Sequence, residues 1–209
     1  MFDTHCHLFD APLSPATTAP RMASAGLQGA ACVATYHHTW EAITAQRASV
    51  RELFPGAIFA LGAHPWFVED LPEGWVSTLQ SLLPLVEAVG EIGLDRGNRA
   101  PPLEAQMGPF EAQMELARSL HKPTLLHVVK AHDLVLEHLK ANPGGRGIIH
   151  AFSGSPADAR SYIEKGWYLG IGGGIARENA HRLRRIVKGL PLTSLVLETD
   201  SPYMATPNC

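Results

Sequence analysis

Phe2-Asp3-Thr4-His5-Cys6-His7-Leu8 stands at the start of the chain, and its length and apolar flanks read as a β-strand. Side chains alternate along a strand, so Asp3, His5 and His7 share one face while Thr4, Cys6 and Leu8 share the other. Two imidazoles on one face are what a metal site needs from its first strand. A His-x-His pair is equally read as a polar strand end, so its meaning depends on the partners that the rest of the chain supplies.

Short apolar runs recur at residues 1–8, 30–36, 58–63, 85–91, 123–129, 147–152, 167–171 and 194–198, eight in all. Between them, helical spacing spans 15–27, 40–53, 74–83, 103–120, 132–140, 156–165 and 178–188. Ser155-Pro156-Ala157-Asp158 reads as a helix start, with Ser155 as N-cap, Pro156 at the first helical position and an acid in the first turn. Apolar strands alternating with helices predict an α/β fold with a parallel sheet covered on both faces, and eight of them predict a closed (β/α)₈ TIM barrel. No linker divides residues 1–209, which are expected to form a single domain. After the eighth run only residues 201–209 remain, so the final outer helix is expected to be lacking. The sequence then predicts either a truncated product or a partner chain over the apolar face by the first and last strands.

A hydrophobic share of 45% and a charged share of 18% are those of a globular protein. The formal net charge of -3 argues against tight, non-specific wrapping of nucleic acid. It leaves nucleic acid open as a substrate, because bound divalent ions would concentrate positive charge at one point. The chain starts without a signal-peptide pattern and has no apolar run of membrane-spanning length, so no membrane partner is expected. Cys6, Cys32 and Cys209 are an odd number at no metal-like spacing, which suits reduced thiols and a cytoplasmic protein. A monomer or weak oligomer is the expectation.

A barrel gathers its chemistry at the C-terminal ends of the strands. Those ends carry His5 and His7, His64, Glu91, His127, His150 and Asp200. Setting His64 aside, six of these are ligand types for a borderline divalent metal. Burying so much polarity together without an ion would be costly.

Five stretches now carry a family resemblance: residues 3–8 (DTHCHL), 62–65 (GAHP), 89–95 (VGEIGLD), 150–155 (HAFSGS) and 197–203 (LETDSPY). They resemble the motifs of TatD-type metal-dependent deoxyribonucleases, a TIM-barrel branch of the amidohydrolase superfamily, in consistent order along the chain. The resemblance implies two adjacent divalent ions, one held by His5, His7 and Asp200, the other by His127 and His150, with Glu91 bridging them. A carboxylate has two oxygens to offer two ions, whereas an imidazole offers a metal one nitrogen at a time. Four histidines favour zinc or manganese, and phosphate chemistry admits magnesium.

Such a pair suits hydrolysis of phosphodiester bonds, and the resemblance implies DNA, cut from an end, or a small phosphodiester as substrate. The alternatives are an amidohydrolase or lactonase acting on a small molecule, or a catalytically impaired metal-binding fragment. The catalytic candidates are Asp200 as ligand and general base, Glu91, and His64. His64 either contacts a scissile phosphate or steadies the turn before Pro65. Lys130, Gly172 and Gly173 are candidate substrate contacts, the glycines through their backbone amides. Asp3 and Glu198 are expected to hydrogen-bond ligating imidazoles, and Asp95 to orient a histidine or line the pocket. Trp66, Phe67 and Tyr203 either stack on bases or pack loops. His37, His38, His121, His132, His138 and His181 are expected at the surface.

Overall fold

Alternation sorts the apolar residues of the strands into two sets. One set packs outward against helices and the other fills a barrel. In the computed structural model, which describes residues 1–205, the strands are β1 (Phe2–Cys6), β2 (Gly29–Val33), β3 (Ala57–Leu61) and β4 (Ala88–Asp95). They continue with β5 (Thr124–Val129), β6 (Gly147–His150), β7 (Tyr168–Ile171) and β8 (Leu195–Leu197). All pair in parallel, in chain order, within one eight-stranded sheet. The last strand returns to the first through a bridge between Cys6 and Ser201, with His7 N–H donating to the Ser201 carbonyl at 2.7 Å and Asp200 N–H to the His5 carbonyl at 2.9 Å. The TIM-barrel expectation holds.

The helices are α1 (Pro15–Ser24), α2 (Trp40–Leu53), α3 (Trp75–Leu82) and α4 (Leu103–Ser119), then α5 (His132–Ala141), α6 (Pro156–Glu164) and α7 (His181–Lys188). Ser155 caps α6 as expected: its side chain accepts from Asp158 N–H while the Asp158 carboxylate accepts from Ser155 N–H. Outward residues such as Cys6, Cys32, Phe59, Leu94, Leu126 and Ile149 form the main core beneath these helices. Inward residues Ala31, Val33, Ala60, Ala88 and Leu125, with Ile58 and Ile148, form a small second cluster that fills the barrel. Two residues further along several of these strands, the same inward alternation reaches polar side chains, Thr35, His127 and His150 among them.

Among the described residues no helix follows β8, and Phe2, Leu192 and Leu197 are exposed. Cys209 lies outside the described residues. None of the described helices is long and apolar enough to cross a membrane. The expectation for His132 is corrected: it shares the buried stripe of α5 with Val135 and Leu139, and its Nδ1 lies 3.2 Å from the Tyr162 hydroxyl. A histidine at i with apolar residues at i+3 and i+7 belongs to the packed face of a helix.

The fourth strand departs most from its expected span of 85–91. Residues 83–85 form a 3₁₀ turn, and the strand runs on to Asp95. Its register against β5 shifts between Val89 and Ile92, so two residues instead of one separate these outward side chains. Strict alternation from the inward Ala88 would turn Glu91 outward; the bulge turns it into the barrel instead. Further along, Gly93 pairs with His127 at a φ of +150°, and a Cβ there would lie 1.9 Å from the His127 carbonyl oxygen. Gly93→Ala is expected to cost about 3 kcal/mol through strain and overpacking. At about 2–4 °C per kcal/mol for a chain of this size, the melting midpoint should fall by about 6 °C or more. A midpoint equal to wild type would contradict this close approach of β4 and β5.

Candidate metal centre

Glu91 is 2% exposed and stands at the middle of the polar end of the barrel. Its two oxygens face different groups. Oε2 is 3.2 Å from His5 Nε2 and 3.6 Å from His7 Nε2. Oε1 is 2.9 Å from His127 Nδ1, 3.5 Å from His64 Nε2 and 4.0 Å from His150 Nε2. Burial pushes the Glu91 carboxyl pKa up, but His64, His5 and His127 outweigh that and hold it well below the usual carboxylate range.

Around Oε2, His5 Nε2 and His7 Nε2 are 3.1 Å apart, and Asp200 Oδ1 lies 3.1 Å from His7 Nε2 and 3.8 Å from His5 Nε2. Donors on a tetrahedral ion at about 2.1 Å are separated by about 3.4 Å, so His5, His7 and Asp200 fit one divalent cation. The second group differs in part from the resemblance. His64 Nε2 and His127 Nδ1 are 3.2 Å apart beside Glu91, so the nearest trio is His64, Glu91 and His127. His150 instead stacks on His5, ring centres 3.6 Å apart, and its Nε2 is 3.6 Å from Asp200 Oδ1, placing it with His5 and Glu91. All six expected ligands therefore converge, and His64 joins them. The nitrogen and oxygen donors, buried and mutually close, suit divalent ions better than a set of neutral hydrogen bonds would.

The surrounding carboxylates separate in role. Asp95 Oδ2 accepts from Trp66 Nε1 at 2.6 Å and lies 2.9 Å from His127 Nε2, so it orients His127. Burial raises the Asp95 pKa, but contacts with His127, Trp66 and Gly97 N–H override it and lower the value to about 2. Glu198 lies 3.2 Å from His150 Nδ1, close enough for ionic attraction though too oblique for a hydrogen bond, and accepts from Ala151 N–H at 2.7 Å. Asp3 corrects the expectation: it accepts from the backbone N–H of His5 and Thr199 and from the Thr199 hydroxyl, and contacts no imidazole.

Gly170 and Gly172 border Glu198, and a Cβ on Gly170 would fall 2.1 Å from Glu198 Oε2. That packing accounts for glycine at this point of the run, while Gly173 opens a short 3₁₀ turn. Lys130 is exposed, and with Trp66, Asn98 and Arg99 it lines a cleft of about 440 Å³ that reaches His127 and Asp95.

Sequence reading missed two buried glutamines of α4 that fix the strand ends. Gln113 accepts from Ala63 N–H at 2.6 Å, next to His64, and Gln106 accepts from Asp95 N–H at 2.8 Å. Their signal was present: both lie on the stripe of α4 that includes Phe110, Met114 and Ala117.

The model of the TatD-related DNase family matches residues 2–209. The chain belongs to that family. A relative in Escherichia coli K12, the uncharacterized metal-dependent hydrolase YjjV, is 35% identical over 97% of this chain and 79% of its own length. The solved structure of that TatD homologue superposes with a TM-score of 0.88 at 34% identity, covering 99% of this chain and 81% of the other. A protein of Erwinia amylovora named 3'-5' ssDNA/RNA exonuclease TatD is 35% identical over 68% of this chain and 57% of its own. This TatD-family chain is a metal-dependent hydrolase.

Proton and metal compete for the same nitrogens, which makes the family's ion measurable by stability. Burial would lower the His150 pKa, but the negative charges of Glu198, Glu91 and Asp200 win and raise it to about 9. His7 and His127 are raised as well, against burial, by Asp200 and Glu91 and by Asp95 and Glu91 respectively. A histidine raised above its unfolded 6.5 adds stability that is complete below about pH 6.5 and is lost as pH climbs to its folded value. Burial lowers His64 to about 4, so above pH 6.5 it is neutral in both states and adds no slope. The chelator-treated protein should therefore lose melting temperature from about pH 6.5 to about 9, and Mn²⁺ or Zn²⁺ should raise it more at the alkaline end. Calorimetry across that window checks both; a flat midpoint, with or without ions, would contradict them.

Proposed function

We propose that the chain hydrolyses phosphodiester bonds with two divalent ions, as a deoxyribonuclease that removes nucleotides from an end of DNA. The observation that carries this reading is Glu91, whose oxygens face two separate donor groups at 2.9–3.2 Å. His5, His7 and Asp200 would hold one ion; His127, with His64 or His150 completing its sphere, would hold the other, and Glu91 would join both. Bound there, the ions would acidify a water and neutralise charge on the phosphoryl group.

Asp200 serves as general base in this reading, because its side chain is the more exposed of the two carboxylates, 11% against 3% for Glu91. Lys130, with Arg99 across the same cleft, supplies cations where a substrate phosphate would lie beside His127. Gly172 and Gly173 remain candidate backbone contacts on the opposite rim. Residues 1–209 act as one hydrolase domain, and the free, buried thiols of Cys6 and Cys32 suit a cytoplasmic setting. The Erwinia relative's name supports a single-stranded substrate shortened from its 3' end.

The test uses a 5'-labelled single-stranded oligonucleotide with Mg²⁺, Mn²⁺ or Zn²⁺. Stepwise shortening should appear with metal and vanish with chelator. Asp200→Asn should lose about 100-fold or more of the rate, the scale of a lost general base, while still folding, so that turnover suffers more than the fold. Glu91→Gln should lose ion binding as well as turnover. Cleavage of an amide or lactone with no shortening of DNA would overturn the phosphodiester reading.

A further inference from the structure

The Nε2 atom of His7 faces the donor cluster, and its other nitrogen enters a chain of side chains outside that cluster. His7 Nδ1 lies 2.8 Å from Thr35 Oγ1 and 3.2 Å from the Val33 carbonyl oxygen. Thr35 Oγ1 in turn donates to Asp10 Oδ2 at 2.6 Å, and the Tyr203 hydroxyl donates to the same oxygen at 3.1 Å. Asp10, Thr35 and His7 are all buried, at 5%, 8% and 3% exposure, so water does not substitute for these bonds.

Proton counting fixes the direction of the chain. A carboxylate only accepts, so the single hydroxyl proton of Thr35 goes to Asp10. Thr35 Oγ1 is left to accept, and the Val33 carbonyl can do nothing else. Both partners of His7 Nδ1 are thus acceptors. Nε2 faces His5, Glu91 and Asp200, and the Asp200 carboxylate also only accepts, so in the neutral ring the two acceptors at Nδ1 compete with Asp200 for one proton. With that proton on Nδ1, or with an ion in place of a proton at Nε2, the Nε2 lone pair points into the cluster. Asp10, Thr35 and Tyr203 come from the segments after β1, β2 and β8, and Tyr203 also sets its ring against His7, with centres 5.4 Å apart.

We propose that Asp10 and Thr35 are positioning residues that hold His7 as the Nδ1–H tautomer and so present Nε2 to a divalent ion. The inference rests on the reading of the cluster as a metal centre, and it is independent of which bond the enzyme cuts. Removing a partner that orients a ligating histidine typically weakens metal affinity about 10–100-fold.

Thr35→Val keeps the shape and deletes the hydroxyl, Thr35→Ser restores it, and Asp10→Asn keeps the size and removes the charge. Two measurements apply to each: Zn²⁺ affinity by competition with a chromogenic chelator, and the His7 tautomer by ¹⁵N NMR of metal-free protein at alkaline pH. Wild type should show Nδ1 protonated. Thr35→Val should bind Zn²⁺ about 10–100-fold more weakly and populate the other tautomer, with Thr35→Ser near wild type and Asp10→Asn between them. Wild-type affinity together with an unchanged tautomer in Thr35→Val would overturn the proposal, and a similar result in Asp10→Asn would overturn it should Thr35→Val fail to fold. If wild type itself bound no Zn²⁺, the metal-centre reading would fall, while the tautomer would still decide whether the relay exists.

Discussion

A carboxylate taken out of water into a barrel interior destabilises the fold unless charge or hydrogen-bond donors face each oxygen. Glu91 meets that condition on both sides, with His5 and His7 at one oxygen and His127 and His64 at the other. The imidazoles need Glu91 as much as it needs them. His5 is fully buried, its Nδ1 has no partner, and the stack on His150 together with contacts at Nε2 holds the ring. Such a cluster is under-determined as a set of neutral hydrogen bonds and well determined as a ligand shell. Burial of polarity and metal dependence are in this sense one property of the barrel.

The scaffold around the cluster is arranged to keep its strand ends from drifting. Gln106 and Gln113 bond to both the amide and the carbonyl of the backbone at Asp95 and Ala63, tying α4 to the ends of β4 and β3. The bulge in β4 then does what regular alternation cannot, placing Glu91 inward while Ile92 and Leu94 pack against helices. On the far side, the absence of a Cβ at Gly170 leaves the space that the Glu198 carboxylate occupies behind His150. Each device costs local regularity and returns orientation of a donor.

The fold was legible because its signal is repetitive. Eight apolar runs and seven helical stretches recur along the chain, and α2 begins and ends where its sequence pattern does. The six ligand-type residues were legible for a related reason, since a parallel barrel sends strand ends to one place. What escaped depends on geometry that composition does not carry. A one-residue register shift is invisible in 88–95, where every residue is buried and no in-out pattern exists to read. His64 was set apart from the ligands, to contact a scissile phosphate or to steady the turn before Pro65; it makes that turn, accepting from Trp66 N–H, and also presents Nε2 to Glu91. Thr35 and Asp10 belong to no motif or spacing in the sequence, and only the contacts His7–Thr35 and Thr35–Asp10 set them apart.

The seam between the first and last strands is where the ligand set and the closure of the barrel meet. β8 is three residues long, and beyond it the link to β1 rests on Asp200 N–H to His5, His7 N–H to Ser201, and the Asp3 carboxylate on Thr199. Asp200 occupies the left-handed region at a φ of +59°, which an aspartate adopts at a cost and which turns its carboxylate toward His7. A short strand and a strained residue are weak closure by themselves. An ion shared by His5, His7 and Asp200 would bind both edges of that seam at once, so its binding energy would act directly on the least secured pairing of the sheet. The buried donor cluster thus lies across a junction closed by a three-residue strand and a single bridge, and both depend on the opening His5-Cys6-His7 strand.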